Sequence, residues 1–241
     1  MTVIPHKFAA WLSTPNQAMV EIAHDLGYRR FVLDVEHGLF GQAHTDAVVA
    51  LILALGAEVY AKVLGPDPIA IQRALDMACT GVIIPHIGGV DHAEKITKTA
   101  KYPPLGTRSF SGTRPSRYGG ADAEHFLEAN RSTKCFPMIE STEALNDVEK
   151  ILQLPTVDGV FPGPSDLALS RGRKSYQNTV EDKADLRRIA EAAKKAQKPW
   201  IMPAWTKNER DEALALGAQF LVVADEYGSL YEGLAGPISE S

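Results

Sequence analysis

The stretch CFPMIESTEALNDVEKILQLPTVDGVFPGPSDLALSRG, residues 135–172, contains two short apolar segments, each followed directly by polar residues. The first segment, 134–139, ends at Glu140, and the second, 158–161, leads into GPSD at residues 163–166. A helical segment at 142–152 lies between them and is long enough to carry the chain back, which predicts two parallel neighbouring strands. Glu140 and Asp166 would then lie close together at the carboxyl edge of the sheet.

Two carboxylates at that edge allow two interpretations. Oxygen ligands are the ones that Mg²⁺ and Mn²⁺ prefer, and the carboxyl ends of parallel strands are where sheets and barrels place their sites. Acidic residues are also common at helix starts, where they satisfy free N–H groups. On spacing alone, Glu140 and Asp166 are either metal ligands or helix caps.

The same alternation of apolar strands and amphipathic helices runs through the chain. Eight strands are predicted at residues 8–12, 31–35, 59–64, 81–84, 134–139, 158–161, 200–203 and 219–223. Alternation of this kind predicts parallel strands, and eight repeats predict a closed (β/α)₈ barrel, one domain over residues 1–241. A doubly wound open sheet is the alternative, but no G-x-G-x-x-G follows the first strand.

One long connection interrupts the repeat at about residues 102–130, and it is rich in Pro, Gly, Arg and Ser. Long irregular connections are more often functional or interfacial than idle. Its arginines, Arg108, Arg114 and Arg117, could bind a substrate carboxylate or pair across a subunit contact.

Composition excludes several classes of protein. The 241 residues are 45% hydrophobic and 23% charged, as in a globular protein with a substantial core. A net charge of −5, with acids and bases interspersed, indicates no nucleic-acid partner. No apolar run is long enough for a bilayer, and no secretory signal is visible. Two cysteines without metal-type spacing predict a reduced, cytoplasmic protein.

The predicted second strand ends in the sequence DVEHG, residues 34–38. Period-two alternation sends Asp34 and Glu36 to the same side, with His37 just beyond the strand. A carboxylate beside an imidazole orients a proton-transfer base. Alternatively, Asp34 only pins His37 to its loop.

Lys62 stands among apolar residues of the third strand, where a lysine is rarely buried without a partner. At the mouth of a barrel it could act as a cation that stabilises an enolate. As a neutral amine it could form a Schiff base, or it could simply extend to solvent.

Further candidates lie at other strand ends. The N–H groups of Gly163, Ser165 and Asp166 open a helical turn and could hold a carboxylate or phosphate. Trp11 either lines the pocket or plugs the barrel. His86 could enter the mouth, but we expect a histidine packed within its loop.

Four segments together resemble the HpcH/HpaI aldolase family of class II, metal-dependent pyruvate aldolases. They are FVLDVEHGLF (31–40), GVIIPHIGGVDHAEKITKTAKYPPLGTRSF (81–110), IES (139–141) and VDGVFPGPSDLALSRG (157–172). The similarity extends from about Trp11 to Tyr231, and the motifs are specific in combination. The resemblance implies a barrel enzyme that acts on a 2-oxo acid.

The resemblance also implies a ligand set. Glu140 and Asp166 match the family's two protein ligands for a divalent ion, Mg²⁺, Mn²⁺ or Co²⁺, with water and the keto acid at the other positions. The substrate carboxylate would rest on the amides around Gly163, Ser165 and Asp166.

Other positions match the family's proton-transfer group and pocket. His37 matches a histidine that handles protons, and Asp34 matches the acid that steers it. Glu36 matches a neighbouring acid with a less direct role, and Trp11 matches an aromatic residue near the pocket.

Two positions depart from the family pattern. Lys62 stands where members typically have an arginine that holds the keto oxygen, and Met138 stands where many have a glutamine near the metal. A lysine keeps the charge but loses the two-pronged grip. The final helix also looks short beside the family's, in which it is often exchanged between subunits; a homo-oligomer, trimer or hexamer, is implied.

The prediction is therefore a metal-dependent carbon–carbon lyase that cleaves or forms a 4-hydroxy-2-oxo acid from pyruvate, or a related 2-oxo acid, and an aldehyde. Four alternatives remain: a Schiff-base aldolase through Lys62, an oxaloacetate decarboxylase, a citrate-synthase-like condensing enzyme, and a barrel that binds a keto acid without turnover.

Overall fold

The computed structural model describes residues 5–239, and eight parallel strands form a barrel at its centre. The strands are β1 Phe8–Leu12, β2 Arg30–Asp34, β3 Glu58–Lys62, β4 Gly81–Ile84, β5 Lys134–Ile139, β6 Phe161–Pro162, β7 Met202–Pro203 and β8 Leu221–Asp225. Their order in the sheet is β6-β5-β4-β3-β2-β1-β8-β7. Val160 and Trp200 form a parallel bridge just before the two end strands, so the barrel is nearly closed. The predicted (β/α)₈ fold is confirmed.

Helices follow the strands and cover the outside of the barrel. They are α1 Gln17–Asp25, α2 Gln42–Ala54, α3 Pro68–Asp76, α4 Val90–Thr97, α5 Ala123–Ser132, α6 Thr142–Asn146, α7 Val148–Gln153, α8 Pro164–Ser170, α9 Val180–Ala196, α10 Lys207–Ala215 and α11 Glu226–Ser239. Between residues 5 and 239, no helix combines the length and apolar character that crossing a membrane requires.

Three helical regions differ from the sequence prediction. Part of the long connection at 102–130 is helical, because Asp122 caps α5 through the His125 N–H at 2.9 Å. The segment predicted as one helix at 142–152 breaks at Asp147, whose carboxylate instead accepts the N–H of Val90 at 3.1 Å. The last helix, α11, has fourteen residues, so it is longer than the helix at 229–234 that the sequence predicts.

The long connection packs against helices of its own chain. The Arg108 guanidinium is 3.2 Å from Asp76 at the end of α3, and it lies 4.6 Å from the centre of the Tyr102 ring. Arg114 holds both carboxylate oxygens of Asp46, at 2.8 and 2.9 Å. Both arginines are therefore occupied by acids of this chain, and a role in binding substrate is not supported for them.

Large side chains fill the inside of the barrel, as expected for a packed core rather than a pore. The buried inward-facing cluster comprises Ala9, Val32, Tyr60, Ile83, Phe136, Met138, Phe161, Ile201, Phe220 and Val222. Side chains two positions further along a strand point the same way, one layer higher. That layer contains Trp11, Asp34, Lys62 and Glu140, so the barrel becomes polar at its carboxyl end.

A buried carboxylate joins the last helix to the first strand. Glu226 begins α11 directly after β8, and its Oε2 accepts the N–H groups of Ser13 at 3.0 Å and Thr14 at 2.8 Å. Its Oε1 accepts the Thr14 hydroxyl at 2.5 Å and the Asn16 side-chain amide at 3.1 Å. These bonds fix the loop that follows β1 at the mouth of the barrel.

We expect the substitution Glu226→Ala to lower the free energy of unfolding by about 2–4 kcal/mol, because the buried Ser13 N–H and the half-buried Thr14 N–H lose their acceptor. Urea unfolding followed by circular dichroism measures the change. Glu232→Ala, an exposed position on the same helix, is the control and should change the value by less than about 0.5 kcal/mol. Equal urea midpoints for the two variants would contradict this account of the junction.

Candidate active site

A buried cation lies at the centre of the carboxyl end of the barrel. The ammonium of Lys62, at the end of β3, is 2.5 Å from Glu36 Oε2 and 3.4 Å from Asp34 Oδ1. It also lies 5.9 Å from the centre of the Trp11 ring. Only 8% of the lysine side chain is exposed. The extension of Lys62 to solvent, one of the predicted alternatives, is therefore wrong.

Strand pairing explains why these charges meet. Asp34 and Lys62 are opposite each other in the parallel pair β2–β3. Glu36 follows two residues after Asp34, in the turn that leaves β2. The turn is tight at Gly38, where a Cβ atom would lie 2.3 Å from the Asp34 carbonyl and 2.5 Å from the Ser13 carbonyl. Only glycine fits there, so the EHG sequence sets the path of the loop.

The charge of Glu36 depends on its neighbours. Burial opposes ionisation, but the ion pair with Lys62 and the contact with His86 outweigh it, and the pKa of Glu36 lies below its ordinary value. Glu36 is thus a carboxylate that holds the lysine in place.

The predicted Asp34–His37 pair takes a different form. Asp34 Oδ1 accepts the main-chain N–H of His37 at 3.1 Å, so this acid fixes the loop rather than the imidazole. The His37 imidazole instead has Glu36 Oε2 as its acid neighbour, 3.5 Å from Nε2. Two-thirds of the His37 side chain is exposed, which leaves the ring accessible from the mouth.

His86 also lies in the mouth, so the expectation of a histidine packed within its loop is wrong. Its Nε2 is 2.5 Å from Glu36 Oε1, and its main-chain N–H donates to Glu140 Oε1 at 2.5 Å. The sequence signal was its position, two residues after the end of β4, where a parallel barrel places its site residues.

Glu140 is buried at the end of β5. Its Oε1 accepts the His86 N–H at 2.5 Å. Burial raises the pKa of Glu140, and the nearby negative charge of Asp166 adds to this effect, although the His86 N–H and the positive charge of Lys62 oppose it. Two carboxylates close together supply the kind of oxygen ligands that a divalent cation prefers.

Gly163 lets the chain pass close to this carboxylate. A Cβ atom on Gly163 would lie 2.7 Å from Glu140 Oε2 and 2.9 Å from the Met138 methyl. Only a glycine at this position lets the turn after β6 pack this closely against the Glu140 carboxylate and the buried Met138 side chain.

The turn after β6 keeps part of its predicted anion-binding capacity. The Gly163 N–H donates to the Ile139 carbonyl at 3.1 Å, so it is not available to a ligand. Ser165 and Asp166 lie in the first turn of α8, where N–H groups have no intrahelical acceptor. These two groups remain as donors for an anion, and the side chains of both residues are exposed.

No cluster of three or more His, Cys, Asp or Glu side chains arranged to hold a metal ion occurs in the part of the chain that the structure describes. The pair that the sequence predicts, Glu140 and Asp166, has two protein ligands and would need water and substrate to complete its coordination.

Comparison with known proteins gives consistent matches. The family described as HpcH/HpaI aldolase/citrate lyase matches residues 7–230. A 2-dehydro-3,6-dideoxy-6-sulfogluconate aldolase of Pseudomonas putida is 33% identical over 159 residues, which cover 66% of this chain and 62% of the relative, less than two-thirds of its length. A 5-keto-4-deoxy-D-glucarate aldolase of Klebsiella pneumoniae is 28% identical over 240 residues, 94% of this chain and 93% of the relative.

Solved structures show the same fold. An HpcH/HpaI aldolase from Desulfitobacterium hafniense superimposes with a TM-score of 0.90 at 23% identity, over 98% of this chain and 93% of that one. A citrate lyase beta subunit of M. tuberculosis, in complex with oxaloacetate and magnesium, superimposes with a TM-score of 0.58 at 12% identity, over 91% of each chain.

The pairing of Lys62 with Glu36 predicts a pH-dependent loss of stability in Lys62→Met. At about pH 8 the variant should unfold with a free energy about 3–5 kcal/mol below that of the wild type, because two buried carboxylates lose their cation. In the wild type, the lowered pKa of Glu36 contributes stability that is lost only as the pH falls through that pKa. In the variant, Glu36 keeps its contacts with His86 and His37 but loses Lys62, so burial is less fully offset and the pKa of Glu36 rises above its wild-type value. Protonation of Glu36 then restores part of the stability as the pH falls.

The difference between the two proteins should therefore shrink from about pH 8 towards about pH 5. Chemical unfolding across this range measures it. Lys98→Met is the control, since the Lys98–Glu94 pair is largely exposed and should give a small difference without a pH trend. A Lys62→Met deficit that stays constant with pH would show that Glu36 is not the group involved.

Proposed function

Because the chain belongs to the HpcH/HpaI aldolase/citrate lyase family, we propose that it is a divalent-metal-dependent lyase that interconverts a 4-hydroxy-2-oxo acid with pyruvate, or a related 2-oxo acid, and an aldehyde in the cytoplasm. The enzyme class, an aldolase-type carbon–carbon lyase, follows from the family and from the names of its relatives. The metal, the substrate and the roles of individual residues are proposals.

The observation that carries the metal is a pair of carboxylates at the ends of neighbouring strands, buried Glu140 after β5 and Asp166 after β6, close enough for the charge of Asp166 to act on Glu140. Glu140 and Asp166 would hold the ion, which supplies Lewis-acid polarisation of the substrate's keto group when it is bound. Burial, and to a smaller extent the charge of Asp166, raises the pKa of Glu140, and a bound cation would favour its ionised form. Magnesium in the distantly related citrate lyase beta subunit supports the same class of ion.

Lys62 stabilises the charge that develops on the keto oxygen as the carbon–carbon bond breaks. Glu36 and Asp34 hold its ammonium at the centre of the mouth, so little rearrangement is needed during the reaction. The N–H groups of Ser165 and Asp166 bind the substrate carboxylate. Trp11, against the lysine, forms an apolar wall of the pocket.

His37 handles the proton in this proposal. In the cleavage direction its imidazole accepts the proton of the C4 hydroxyl, the C3–C4 bond breaks, and its electron pair forms the enolate of the 2-oxo acid while the aldehyde leaves. Protonation of C3 then gives the 2-oxo acid. Asp34 holds the His37 loop, and Glu36 lies next to the ring.

The surroundings of Lys62 favour this role over a Schiff base. A Schiff base requires a neutral amine, whereas this ammonium is enclosed by two carboxylates at 2.5 and 3.4 Å. Oxaloacetate decarboxylation and citrate-synthase-like condensation use the same enolate, and they are distinguished from aldol cleavage by their products. A barrel that binds a keto acid without turnover remains as a non-enzymatic alternative.

We also propose that the chain forms a homo-oligomer, a trimer or a hexamer. Helix α11 carries large exposed apolar side chains at Tyr227, Leu230, Tyr231 and Leu234. An apolar face of this size indicates an interaction surface. A second copy of the chain is the proposed partner, as the family resemblance implies.

Removal of either metal ligand should abolish metal-dependent turnover. Glu140→Ala and Asp166→Ala should each reduce kcat/KM by about a hundredfold or more, because a principal electrostatic contact to the transition state is lost. The assay follows pyruvate release from a panel of 4-hydroxy-2-oxo acids with Mg²⁺, Mn²⁺ or Co²⁺. Chelation should stop the wild-type reaction, and added metal should restore it.

Glu143→Ala is the control, since Glu143 is exposed in α6 and three residues from Glu140. Full metal-dependent activity in either ligand variant would contradict the metal assignment. Chelator-resistant activity, together with borohydride trapping of pyruvate on Lys62, would establish the Schiff-base alternative instead.

A further inference from the structure

His86 has an unusual backbone conformation at the mouth of the barrel. Its φ angle is +57°, in the left-handed region that residues other than glycine seldom adopt. Such conformations cost free energy and persist where surrounding contacts fix them, which is often at functional sites.

Two acids that follow different strands, Glu36 after β2 and Glu140 after β5, hold the two parts of this residue. The main-chain N–H donates to Glu140 Oε1 at 2.5 Å, and the imidazole Nε2 lies 2.5 Å from Glu36 Oε1. The imidazole Nδ1 lies 3.7 Å from Glu140 Oε1. His86 therefore bridges the proposed metal ligand and the carboxylate that holds the lysine.

The imidazole limits where Glu36 can place its second oxygen. With Oε1 held by His86, Oε2 faces the Lys62 ammonium at 2.5 Å. The other neighbour of that oxygen, the His37 imidazole, is more distant at 3.5 Å. Among the contacts of the described chain, His86 is thus the closest group that orients Glu36 from the side opposite Lys62.

We propose that His86 is a positioning residue that acts through Glu36 to fix the Lys62 ammonium, while its main-chain N–H fixes Glu140. This inference rests on the proposed function, because it assigns Lys62 and Glu140 to the same reaction. It adds a residue to the site for which the sequence motifs indicated no role.

The two contacts can be separated experimentally, since one uses the main chain and the other the side chain. His86→Gly retains the N–H to Glu140 and suits the positive φ angle, but it removes the imidazole. His86→Gln returns a side-chain donor of similar reach. Gln197→Gly is a matched control, because Gln197 also has a positive φ, +54°, at the end of α9 and outside the mouth.

The assay is exchange of the pyruvate methyl protons with D₂O, followed by NMR with Mg²⁺, which measures enolate formation without an aldehyde. His86→Gly should lower kcat for exchange by about tenfold or more, with KM for pyruvate changed by less than about twofold. Mn²⁺ affinity and the thermal unfolding temperature should not fall. His86→Gln should recover most of the exchange rate, and Gln197→Gly should match the wild type.

Two results would overturn the inference. One is a wild-type exchange rate in His86→Gly. The other is a parallel loss of Mn²⁺ affinity and thermal stability that His86→Gln does not restore, which would indicate a merely structural role. Absence of metal-dependent exchange in the wild-type protein would be different, because it would contradict the proposed function itself and this inference with it.

Discussion

The site depends on one buried charge, the ammonium of Lys62. A lysine taken out of water is costly unless carboxylates surround it, and β2 and the turn after it supply two, Asp34 and Glu36. The requirement to satisfy this cation fixes the loop after β2, which in turn places His37. Glu36 in turn contacts the His86 imidazole, and the main-chain N–H of His86 donates to Glu140.

The barrel below makes this arrangement rigid. Large inward-facing side chains such as Phe136, Phe161 and Phe220 fill the interior and are almost fully buried, so the next layer cannot move down into empty space. The polar side chains at the strand ends therefore lie between the packed interior of the barrel and solvent. Close contacts at Gly38 and Gly163, where no Cβ would fit, let the loops pack against this layer.

Much of this could be predicted from the sequence, because period-two alternation and strand ends are local patterns. The eight strands and the position of Asp34, Lys62 and Glu140 at one mouth follow from such patterns, whereas the family came from the resemblance of four sequence segments. The contacts between individual atoms could not be predicted in this way, because they depend on the geometry of the loops. Asp34 was expected to orient the His37 imidazole, but in a loop this tight its carboxylate reaches the nearer main-chain N–H instead.

Long-range partners were the hardest to foresee. His86 is far in sequence from both Glu36 and Glu140, and only the closed barrel brings the three together. The long connection at 102–130 is rich in residues typical of turns, so helix α5 within it was not predicted. The acids that pair with Arg108 and Arg114 lie outside the connection, on helices α3 and α2, and were not predicted either. The sequence alone showed Lys62 at the position where the resemblance implies an arginine. Only the structure showed that Asp34 and Glu36 are the carboxylates that pair with it.

The most direct test of the central claim is a crystal structure of the protein soaked with Mn²⁺ and oxalate, a stable analogue of a 2-oxo acid enolate. The account predicts Mn²⁺ bound by Glu140 and Asp166, with oxalate chelating it and one oxalate oxygen within hydrogen-bond distance of the Lys62 ammonium. Mn²⁺ bound elsewhere would contradict the account. So would Mn²⁺ and oxalate bound at Glu140 and Asp166 with no oxalate oxygen within hydrogen-bond distance of the Lys62 ammonium.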